Sequence, residues 1–400
     1  MYDIVVLGGG IAGLYTALHY SRKHYSVLLC EKYKTVGGRV DTFKHNGYSW
    51  EAGAGRISKK HTLLLDLIKE YNLTLVSISS TLAFKKDGYS CIEPNLFDET
   101  LEAMVSPLHS LDKDILSTHT LKELLVKVHG AALAESYTDR FPYRAETEVL
   151  RADLALHSFK NEMGTHDGYY VCAEGLSALI EKMKQDLYKA KCVIKTEYPC
   201  TNIFEQDDCM CAVFEKEVVQ AKNIVCALNS EALKKIPYFT NFALLKKVVM
   251  KPLLRTYAIY PKDKVWFSQL PSVVSSGPVR YFIPIDYKRG VAMISYTDSR
   301  DTDEYHTYKD DTSLGKRVQS DLKKLFGPIP DYTYFKSHYW KYGATYWLPG
   351  KYNPITESNN SIKPFASNVY IVGESFSLRQ AWIEGALEQC EKLFALDIIV

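Results

Sequence analysis

The chain has 400 residues, which suggests two domains around a well-formed core. Its formal net charge is +2 and its basic residues are scattered, so the composition argues against a nucleic-acid partner. The nine cysteines show no C-x-x-C spacing, which predicts reduced thiols and no metal site. No apolar run approaches about 18 residues, so we expect no membrane span. The first strand begins at Tyr2, which together with the reduced thiols predicts an intracellular, cytoplasmic protein.

The N-terminus has the pattern of a dinucleotide-binding unit. Tyr2–Leu7 is a short aliphatic run, typical of a buried parallel strand. Three glycines follow at G-x-G-x-x-G spacing: Gly8, Gly10 and Gly13. At this spacing the first glycine permits a tight turn, the second lets a phosphate approach the backbone, and the third lets the next helix pack close to the strand. The first N–H groups of that helix, with Ile11 and Ala12 among them, favour an anion.

A second strand, Ser26–Cys30, ends at an acid. The carboxylate of Glu31 can accept both hydroxyls of an adenosine ribose and would repel a 2′-phosphate, which argues against NADP. Lys32 follows directly and is included among the cofactor-binding residues. Soon afterwards comes the turn Gly37-Gly38-Arg39, in which the guanidinium suits the geometry of a phosphate.

Together these residues resemble the FAD-binding fingerprint of the flavin amine oxidase superfamily, which includes monoamine, polyamine and L-amino-acid oxidases, with phytoene desaturases and protoporphyrinogen oxidases as cousins. The resemblance implies an α/β fold, with an FAD-binding Rossmann-type domain of the two-dinucleotide-binding, GR2-like kind and an α+β substrate-binding domain. In the family the Gly-Gly-Arg turn, here Gly38 and Arg39, lies along the FAD pyrophosphate. The expected FAD-binding domain comprises residues 1–73, 168–229 and 365–400, and the expected substrate-binding domain comprises residues 74–167 and 230–364.

An arginine after three small residues is the first candidate for a substrate contact. Val40–Ser49 alternates enough to be predicted as one strand, and Gly53, Ala54, Gly55 and Arg56 follow. Small residues bring backbone close to a ligand. The segment resembles the one that passes the flavin ring in amine oxidases, so these four residues are also cofactor-binding candidates. Arg56 resembles the arginine that grips the substrate carboxylate in L-amino-acid oxidases, and a surface arginine in a loop is the alternative.

The middle of the chain is expected to alternate between the two domains. An amphipathic helix is predicted at Lys60–Tyr71. Helical spacing recurs in a segment that resembles the insertion with which amine oxidases wall the substrate cavity: Leu96–His109, Leu121–His129 and Thr147–His157. Cys200 falls where the family touches the adenine, and its backbone can make the same contact. Strands are then predicted at Leu253–Tyr260, Val279–Ile285 and Val291–Tyr296, and a helix at Asp310–Phe326.

The C-terminal segment resembles the family's last βα unit. Val369–Val372 is predicted as a strand that ends at Gly373 and Glu374, an acidic turn that in the family contacts the FAD ribityl-phosphate region. A helix is predicted from about Trp382. In the family its N-terminus points at the flavin pyrimidine, where the helix dipole stabilises the reduced ring. Trp382 and Ile383 match the tryptophan–isoleucine pair at the start of this helix in L-amino-acid and monoamine oxidases.

A second aromatic candidate lies in the segment Gly343-Ala344-Thr345-Tyr346, which resembles the Gly-Gly-Cys-Tyr turn of monoamine oxidases. The cysteine that binds flavin covalently there is Thr345 here. Threonine cannot form a thioether, so we expect non-covalent FAD. For Tyr346 and for Trp382, ordinary packing in the core is the alternative.

A charged position also departs from the family. The family's lysine, which holds a water near flavin N5, corresponds to Arg255. Arginine keeps the charge and loses the compact ammonium geometry, so slower reoxidation by oxygen or a different electron acceptor is compatible with it. Lys251, four residues earlier on the same strand face, is the alternative.

The catalytic candidates are therefore Arg56, Arg255, Tyr346 and Trp382. Our first hypothesis is an FAD-dependent oxidoreductase that oxidises a carbon–nitrogen bond of a small amine or L-amino acid by hydride transfer to flavin. The products would be an imine and, with molecular oxygen as acceptor, hydrogen peroxide. The alternatives are an FAD-dependent desaturase or dehydrogenase of an apolar substrate, and a non-catalytic FAD-binding protein. Whether the chain forms a homodimer is left open.

Overall fold

A computed structural model describes residues 1–95, 97–162 and 168–396. The chain divides into two units. Unit 1 comprises Met1–Ile78, Tyr169–Met250 and Tyr352–Val400, and unit 2 comprises Ser79–Gly168 and Lys251–Lys351. Both units combine helices with sheets, as the predicted α/β fold requires. None of the described helices is both long enough and apolar enough to cross a membrane.

The strands, in chain order, are β1 (Tyr2–Leu7), β2 (Val27–Cys30), β3 (Thr42–His45), β4 (Tyr48–Glu51), β5 (Ile57–Ser58), β6 (Leu75–Ile78), β7 (Leu82–Lys85), β8 (Glu93–Pro94), β9 (Tyr169–Cys172), β10 (Val193–Lys195), β11 (Cys200–Gln206), β12 (Cys209–Phe214), β13 (Val218–Cys226), β14 (Val248–Ile259), β15 (Ser272–Ser275), β16 (Tyr281–Asp286), β17 (Val291–Asp298), β18 (Tyr334–Trp347) and β19 (Val369–Ile371).

The helices are α1 (Ile11–Arg22), α2 (Thr62–Glu70), α3 (Phe97–Val105), α4 (Lys113–Thr118), α5 (Leu121–His129), α6 (Ala131–Asp139), α7 (Ala145–Glu148), α8 (Ala152–Asn161), α9 (Ser177–Lys189), α10 (Ser230–Leu233), α11 (Asp303–His306), α12 (Asp311–Phe326), α13 (Pro354–Asn360) and α14 (Ile383–Phe394). Short 3₁₀ helices lie at Ser106–Ser110, Pro237–Phe239, Ala243–Lys246, Lys262–Lys264, Ser299–Thr302 and Glu374–Phe376.

Unit 1 is built on a parallel sheet in the order β10-β2-β1-β13-β19. Its central strand β1 is an aliphatic run that is almost completely buried from Ile4 to Leu7, as expected of a strand covered on both faces. Helix α1 contacts α9 and α14, and the three helices share one core with the sheet. Strands β12 and β11 extend β13 in antiparallel pairs. The strand–glycine turn–helix order predicted for the N-terminus is therefore present.

The boundaries of unit 1 differ from the domain boundaries expected from the sequence. Residues 230–250 and 352–364, expected with the substrate-binding segments, belong to unit 1. The Ser230 N–H donates to the Ser375 hydroxyl at 3.1 Å, and the Ile371 N–H donates to the Ile362 carbonyl at 2.9 Å. Residues 74–78 also belong to unit 1, because β6 pairs with β9. The Ser230–Ser375 contact and the β6–β9 pairing join residues far apart in sequence, so no local pattern predicts them.

Unit 2 contains a mostly antiparallel sheet in the order β18-β14-β17-β16-β15-β7-β8. Helix α12 packs on it through Leu314, Val318 and Leu322, which share a core with the sheet. This helix was predicted, and the Asp310 side chain caps it by accepting from the Ser313 N–H at 2.8 Å. Helices α3 to α8 form the helical segment that was also predicted.

One predicted strand is a hairpin. Val40–Ser49 was predicted as a single strand, whereas β3 and β4 pair in antiparallel register with His45 opposite Tyr48. The connecting residues, Asn46 and Gly47, have φ values of 46° and 76°. Positive φ at both positions is what a type I′ turn requires, and Asn-Gly is its preferred sequence.

Two other predictions need correction. The helix predicted at Thr147–His157 is broken into α7 and α8, because the Arg151 N–H donates to the Trp347 carbonyl and the Ala152 N–H donates to the His119 carbonyl. The segment from Gly343 to Tyr346 is not a turn but the end of β18. Gly343 lies against the Leu253 side chain, where a Cβ would come within 2.4 Å of Cγ. Helix α5 is confirmed, and Leu96, at the start of the helix predicted at Leu96–His109, lies outside the described residues.

Candidate functional site

The turn between β1 and α1 leaves open space beside backbone N–H groups. Gly8 has a φ of 104°, and a Cβ on Gly13 would come within 1.8 Å of the Gly8 carbonyl oxygen. At Gly10, by contrast, no heavy atom of the described residues other than Gly10 and its two chain neighbours lies within 4 Å of where a Cβ would stand. Gly10 is the N-cap of α1 and has no side chain to satisfy the first N–H groups of the helix. An anion can therefore reach those N–H groups, Ile11 and Ala12 included, over the Gly10 backbone.

A second glycine turn packs against the first. The Gly37 N–H donates to the Gly9 carbonyl at 2.7 Å, and a Cβ on Gly38 would lie 3.2 Å from the Gly10 Cα. Gly373, with a φ of 112°, lies next to Ala12. Three backbone segments that are distant in sequence thus meet around the open space at Gly10, as close approach to a diphosphate requires.

Arg39 and Glu374, predicted as separate contacts to the cofactor, form an ion pair with each other. The Glu374 carboxylate is almost completely buried, and the Arg39 side chain is about one-third exposed. The arginine is therefore held in place before any phosphate is bound. The pair joins the turn after β2 to the turn after β19.

The acid predicted to bind the ribose lies at the carboxyl end of β2. Glu31 is 6% exposed; its Oε2 accepts from the Gly9 N–H at 2.7 Å and its Oε1 accepts from the Tyr33 N–H at 2.8 Å. These bonds fix the carboxylate beside the glycine turn. Lys32, next in the chain, is exposed, with its Nζ 4.4 Å from the Tyr33 ring centroid.

Cys200 is brought to the same end of the sheet. The Tyr198 N–H donates to the Glu31 carbonyl at 2.9 Å, which draws the start of β11 toward β2. The Cys200 thiol donates to the Asn202 carbonyl at 3.2 Å, and burial raises its pKa to about 11. The thiol is thus neutral at physiological pH, which argues against nucleophilic chemistry at this position.

We expect Glu31→Ala to weaken FAD binding roughly tenfold or more, because it would remove the charge-assisted hydrogen bonds that Glu31 is predicted to make to the ribose. The fold should persist, and the control Glu31→Gln, which keeps an acceptor oxygen, should lose less affinity. The measurement is FAD retention on serial dilution. Retention equal to that of the wild type would contradict the ribose assignment.

The segment from Ala52 to Arg56 runs along the Arg39 turn. The Ala54 N–H donates to the Arg39 carbonyl at 2.9 Å, and the Gly53 N–H donates to the Asp41 carbonyl at 3.2 Å. Gly55 is tightly placed, since a Cβ there would come within 2.8 Å of the Glu51 side chain. The small residues therefore keep this backbone close to the turn that carries Arg39, and Arg56 extends from its end.

Arg56 lies on the faces of two aromatic rings. Its guanidinium carbon is 5.3 Å from the ring centroid of Tyr169 and 6.0 Å from that of Trp382. The two rings are nearly parallel, at 6° with centroids 6.3 Å apart. We call Arg56, Tyr169 and Trp382 the Arg56 cluster. The structure thus brings together two sequence-predicted residues, and all three side chains are partly exposed.

Tyr169 is the member of the Arg56 cluster to which the sequence assigned no role. Its neighbour Ser58 pairs with it across β5 and β9, which sets the ring beside Arg56. The available signal in the sequence was only the succession of two tyrosines, Tyr169 and Tyr170. Ile383, predicted with Trp382, is the first residue of α14 and packs in the core of unit 1.

The remaining predicted residues belong to unit 2. Arg255 on β14 lies opposite Tyr296 on β17, with its guanidinium carbon 4.6 Å from that ring centroid and a hydrogen bond to the hydroxyl at 3.3 Å. Tyr143 packs edge-on against Tyr296 at 5.3 Å. Burial, with nearby Lys336 and Arg255, lowers the pKa of His338 to about 4, so this imidazole is neutral at physiological pH.

Thr345 and Tyr346, near the end of β18, are 0% and 3% exposed. Their burial agrees with either a cavity wall or core packing for the tyrosine. In the part of the chain that the structure describes, no group of three or more histidine, cysteine, aspartate or glutamate side chains is arranged to hold a metal ion.

Comparison with solved structures shows the fold. The chain matches a putrescine oxidase double mutant with redesigned cofactor binding, with a TM-score of 0.81 at 14% identity, over 100% of this chain and 99% of that one. It matches cyclohexylamine oxidase from Brevibacterium oxydans with a TM-score of 0.81 at 19% identity, over 99% and 98% of the two chains. The predicted fold class is confirmed.

Curated relatives match over a short segment. An L-amino acid oxidase of Cerastes cerastes is 31% identical over 78 residues, which is 19% of this chain and 15% of that protein. An L-amino-acid oxidase of Demansia vestigiata is 34% identical over 74 residues, which is 18% of this chain and 14% of that protein. The matches therefore span about one-seventh of the length of these relatives.

The sequence profile described as "Flavin containing amine oxidoreductase" matches residues 11–391, which is nearly the whole chain. That range includes the second glycine turn at Gly37 and Gly38, the Arg56 cluster and the start of α14. The chain therefore belongs to the family of flavin containing amine oxidoreductases.

Proposed function

We propose that this protein is an FAD-dependent oxidase of amines or L-amino acids, with L-amino acids as the favoured substrate class. The observation that carries the proposal is the position of the Arg56 guanidinium on the faces of Tyr169 and Trp382. A cation held among aromatic rings offers a carboxylate a bidentate partner in apolar surroundings, where an unpaired charge would be too costly.

The cofactor assignment is supported by the open space at Gly10 and by the carboxylate of Glu31 beside it. The first N–H groups of α1 and Arg39 would hold the diphosphate, Glu31 the ribose and Cys200 the adenine. Bound FAD would accept a hydride from the carbon next to nitrogen, with molecular oxygen as the final acceptor. Arg56 would orient the substrate through its carboxylate, and Trp382 would wall the cavity and exclude water.

The roles proposed for Arg255 and Tyr346 rest on the family resemblance. Arg255 already contacts a tyrosine ring and its hydroxyl, so its charge is held in one place. We propose that it stands in for the family's lysine and that Tyr346 lines the cavity.

We expect the FAD to be bound without a covalent link, because Thr345 occupies the position of the cysteine that forms the thioether in monoamine oxidases. The purified protein should be yellow, and acid or heat should release all of the flavin into the supernatant. The measurement is flavin absorbance in the supernatant and in the washed pellet. Flavin that stays with the denatured chain would contradict this prediction.

The test of the proposed function is peroxide formation with matched pairs of L-amino acids and the amines that result from their decarboxylation. We expect the L-amino acids to yield peroxide at lower substrate concentrations than the matching amines. Peroxide from amines alone would favour a monoamine or polyamine oxidase. No peroxide from either set, in a protein that holds FAD, would favour the desaturase or non-catalytic alternatives.

A further inference from the structure

A buried carboxylate ties the start of α14 to the start of α2. Glu384, the second residue of α14, is 2% exposed. Its carboxylate accepts from the N–H groups of Leu63 at 2.9 Å and Leu64 at 3.0 Å, and from the Thr62 hydroxyl at 3.4 Å. It therefore caps α2 from another helix, with a charge that the dipole of α2 favours.

The capped helix begins next to a histidine that touches the candidate substrate wall. His61 is 0% exposed and lies edge-on to the Trp382 indole, with ring centroids 4.8 Å apart at 67°. Its Nδ1 accepts from the Ser58 N–H at 3.2 Å. The imidazole is thus held by a backbone N–H of β5, and the backbone of His61 lies at the start of α2.

These contacts link Trp382 to α2 and then back to its own indole ring. The chain runs from Trp382 to Glu384, across to α2, back to His61 and from there to the indole edge. Ser58, which holds His61, pairs with Tyr169. The indole position is therefore determined by groups on α2 and β5 as well as by α14.

We infer that Glu384 is a positioning residue, which sets the place of the Trp382 indole through α2 and His61. The inference rests on the proposed function, in which Trp382 walls the substrate cavity. The hydrogen bonds that hold the glycine turn and Glu31 do not involve Glu384. Substitution of Glu384 should therefore change substrate binding and leave FAD binding unchanged.

The test is Glu384→Ala and Glu384→Gln, compared with Glu391→Ala. Glu391 is on the same helix, but its carboxylate accepts from the Tyr15 hydroxyl at 2.6 Å. For Glu384→Ala we expect KM to rise about tenfold for an amino acid and for its decarboxylated amine alike, with a smaller change in kcat and unchanged FAD content. Glu384→Gln, which keeps one acceptor oxygen, should lie between, and Glu391→Ala should match the wild type.

A second readout needs no turnover. Amide hydrogen exchange at Leu63 and Leu64 should become faster in both Glu384 variants. Acrylamide should quench the Trp382 fluorescence of the Glu384 variants more strongly than that of the wild type. The Trp382 fluorescence is obtained as the difference between each protein and the same protein carrying Trp382→Phe. If Glu384→Ala does not fold, Glu384→Gln carries both measurements.

Wild-type KM values and wild-type quenching in the Glu384 variants would overturn the inference, and so would loss of FAD in place of a change in KM. If the wild type turns over no amine or amino acid, the proposed function fails, whereas exchange and quenching still decide whether Glu384 holds the indole. Unchanged quenching in that case would overturn the positioning role as well.

Discussion

Gly13→Ala is expected to lower the free energy of unfolding by about 3 kcal/mol or more and to leave the protein without FAD. The added Cβ would stand 1.8 Å from the Gly8 carbonyl oxygen and 3.0 Å from the Gly8 carbonyl carbon. These are backbone atoms, so the clash is relieved only if α1 moves away from β1. The higher helix propensity of alanine, worth about 1 kcal/mol, cannot offset this movement. The measurements are thermal unfolding and flavin content after purification.

The matched control is Gly10→Ala, three residues earlier in the same turn. Apart from residue 10 itself and its two chain neighbours, no described residue has a heavy atom within 4 Å of the new Cβ, so the apo protein should unfold at the wild-type temperature. The methyl group would occupy the open space that we assign to the diphosphate, so FAD affinity should still fall. Wild-type stability of Gly13→Ala would contradict the close packing of α1 on β1. Wild-type FAD affinity of Gly10→Ala would contradict the assignment of the open space to the diphosphate.

Arg56→Lys and Arg56→Ala are expected to lower kcat/KM for L-amino acids at least about tenfold, while the decarboxylated amines change little. Lysine retains the charge but loses the planar, bidentate guanidinium that lies on the faces of Tyr169 and Trp382. The measurement is kcat/KM for each member of an acid–amine pair. The ratio of the two values removes effects that the pair shares, such as a change in cofactor occupancy.

The control for charge alone is Lys59→Ala. Lys59 is an exposed cation three residues further along, and its Nζ lies 5.9 Å from the Tyr170 ring centroid. This variant should leave the acid–amine ratio unchanged. An equal loss on acids and amines in the Arg56 variants would assign Arg56 to the cofactor. No loss on either would make it a bystander and would favour a monoamine or polyamine substrate.

The predictions that hold best come from residues close together in sequence. Gly8, Gly10, Gly13 and the second strand follow one another in a βαβ unit, so their spacing alone determines the turn geometry. The hairpin at Asn46 and Gly47 is equally predictable from its Asn-Gly turn, whereas the alternation on either side of that turn, by itself, predicts a single strand.

The parts that could not be predicted depend on distant partners. In the Arg56 cluster, Tyr169 lies more than one hundred positions after Arg56, and Trp382 lies more than two hundred positions after Tyr169. Glu384 likewise caps a helix that begins at Thr62. The continuation of β18 through Gly343 likewise depends on Leu253 of the neighbouring strand. A single sequence carries the chemistry of these side chains but not their pairing, so it assigns no role to Tyr169 or Glu384.

The most direct test is anaerobic reduction of the bound flavin. The protein, loaded with FAD and freed of oxygen, is mixed in turn with L-amino acids, monoamines and polyamines, and the visible flavin absorbance is followed. We predict that at least one L-amino acid bleaches the flavin completely, and that its decarboxylated amine does so only at higher concentration. A protein that holds a full complement of FAD and keeps its flavin absorbance with every compound in the panel would contradict the assignment as an amine or amino-acid oxidase.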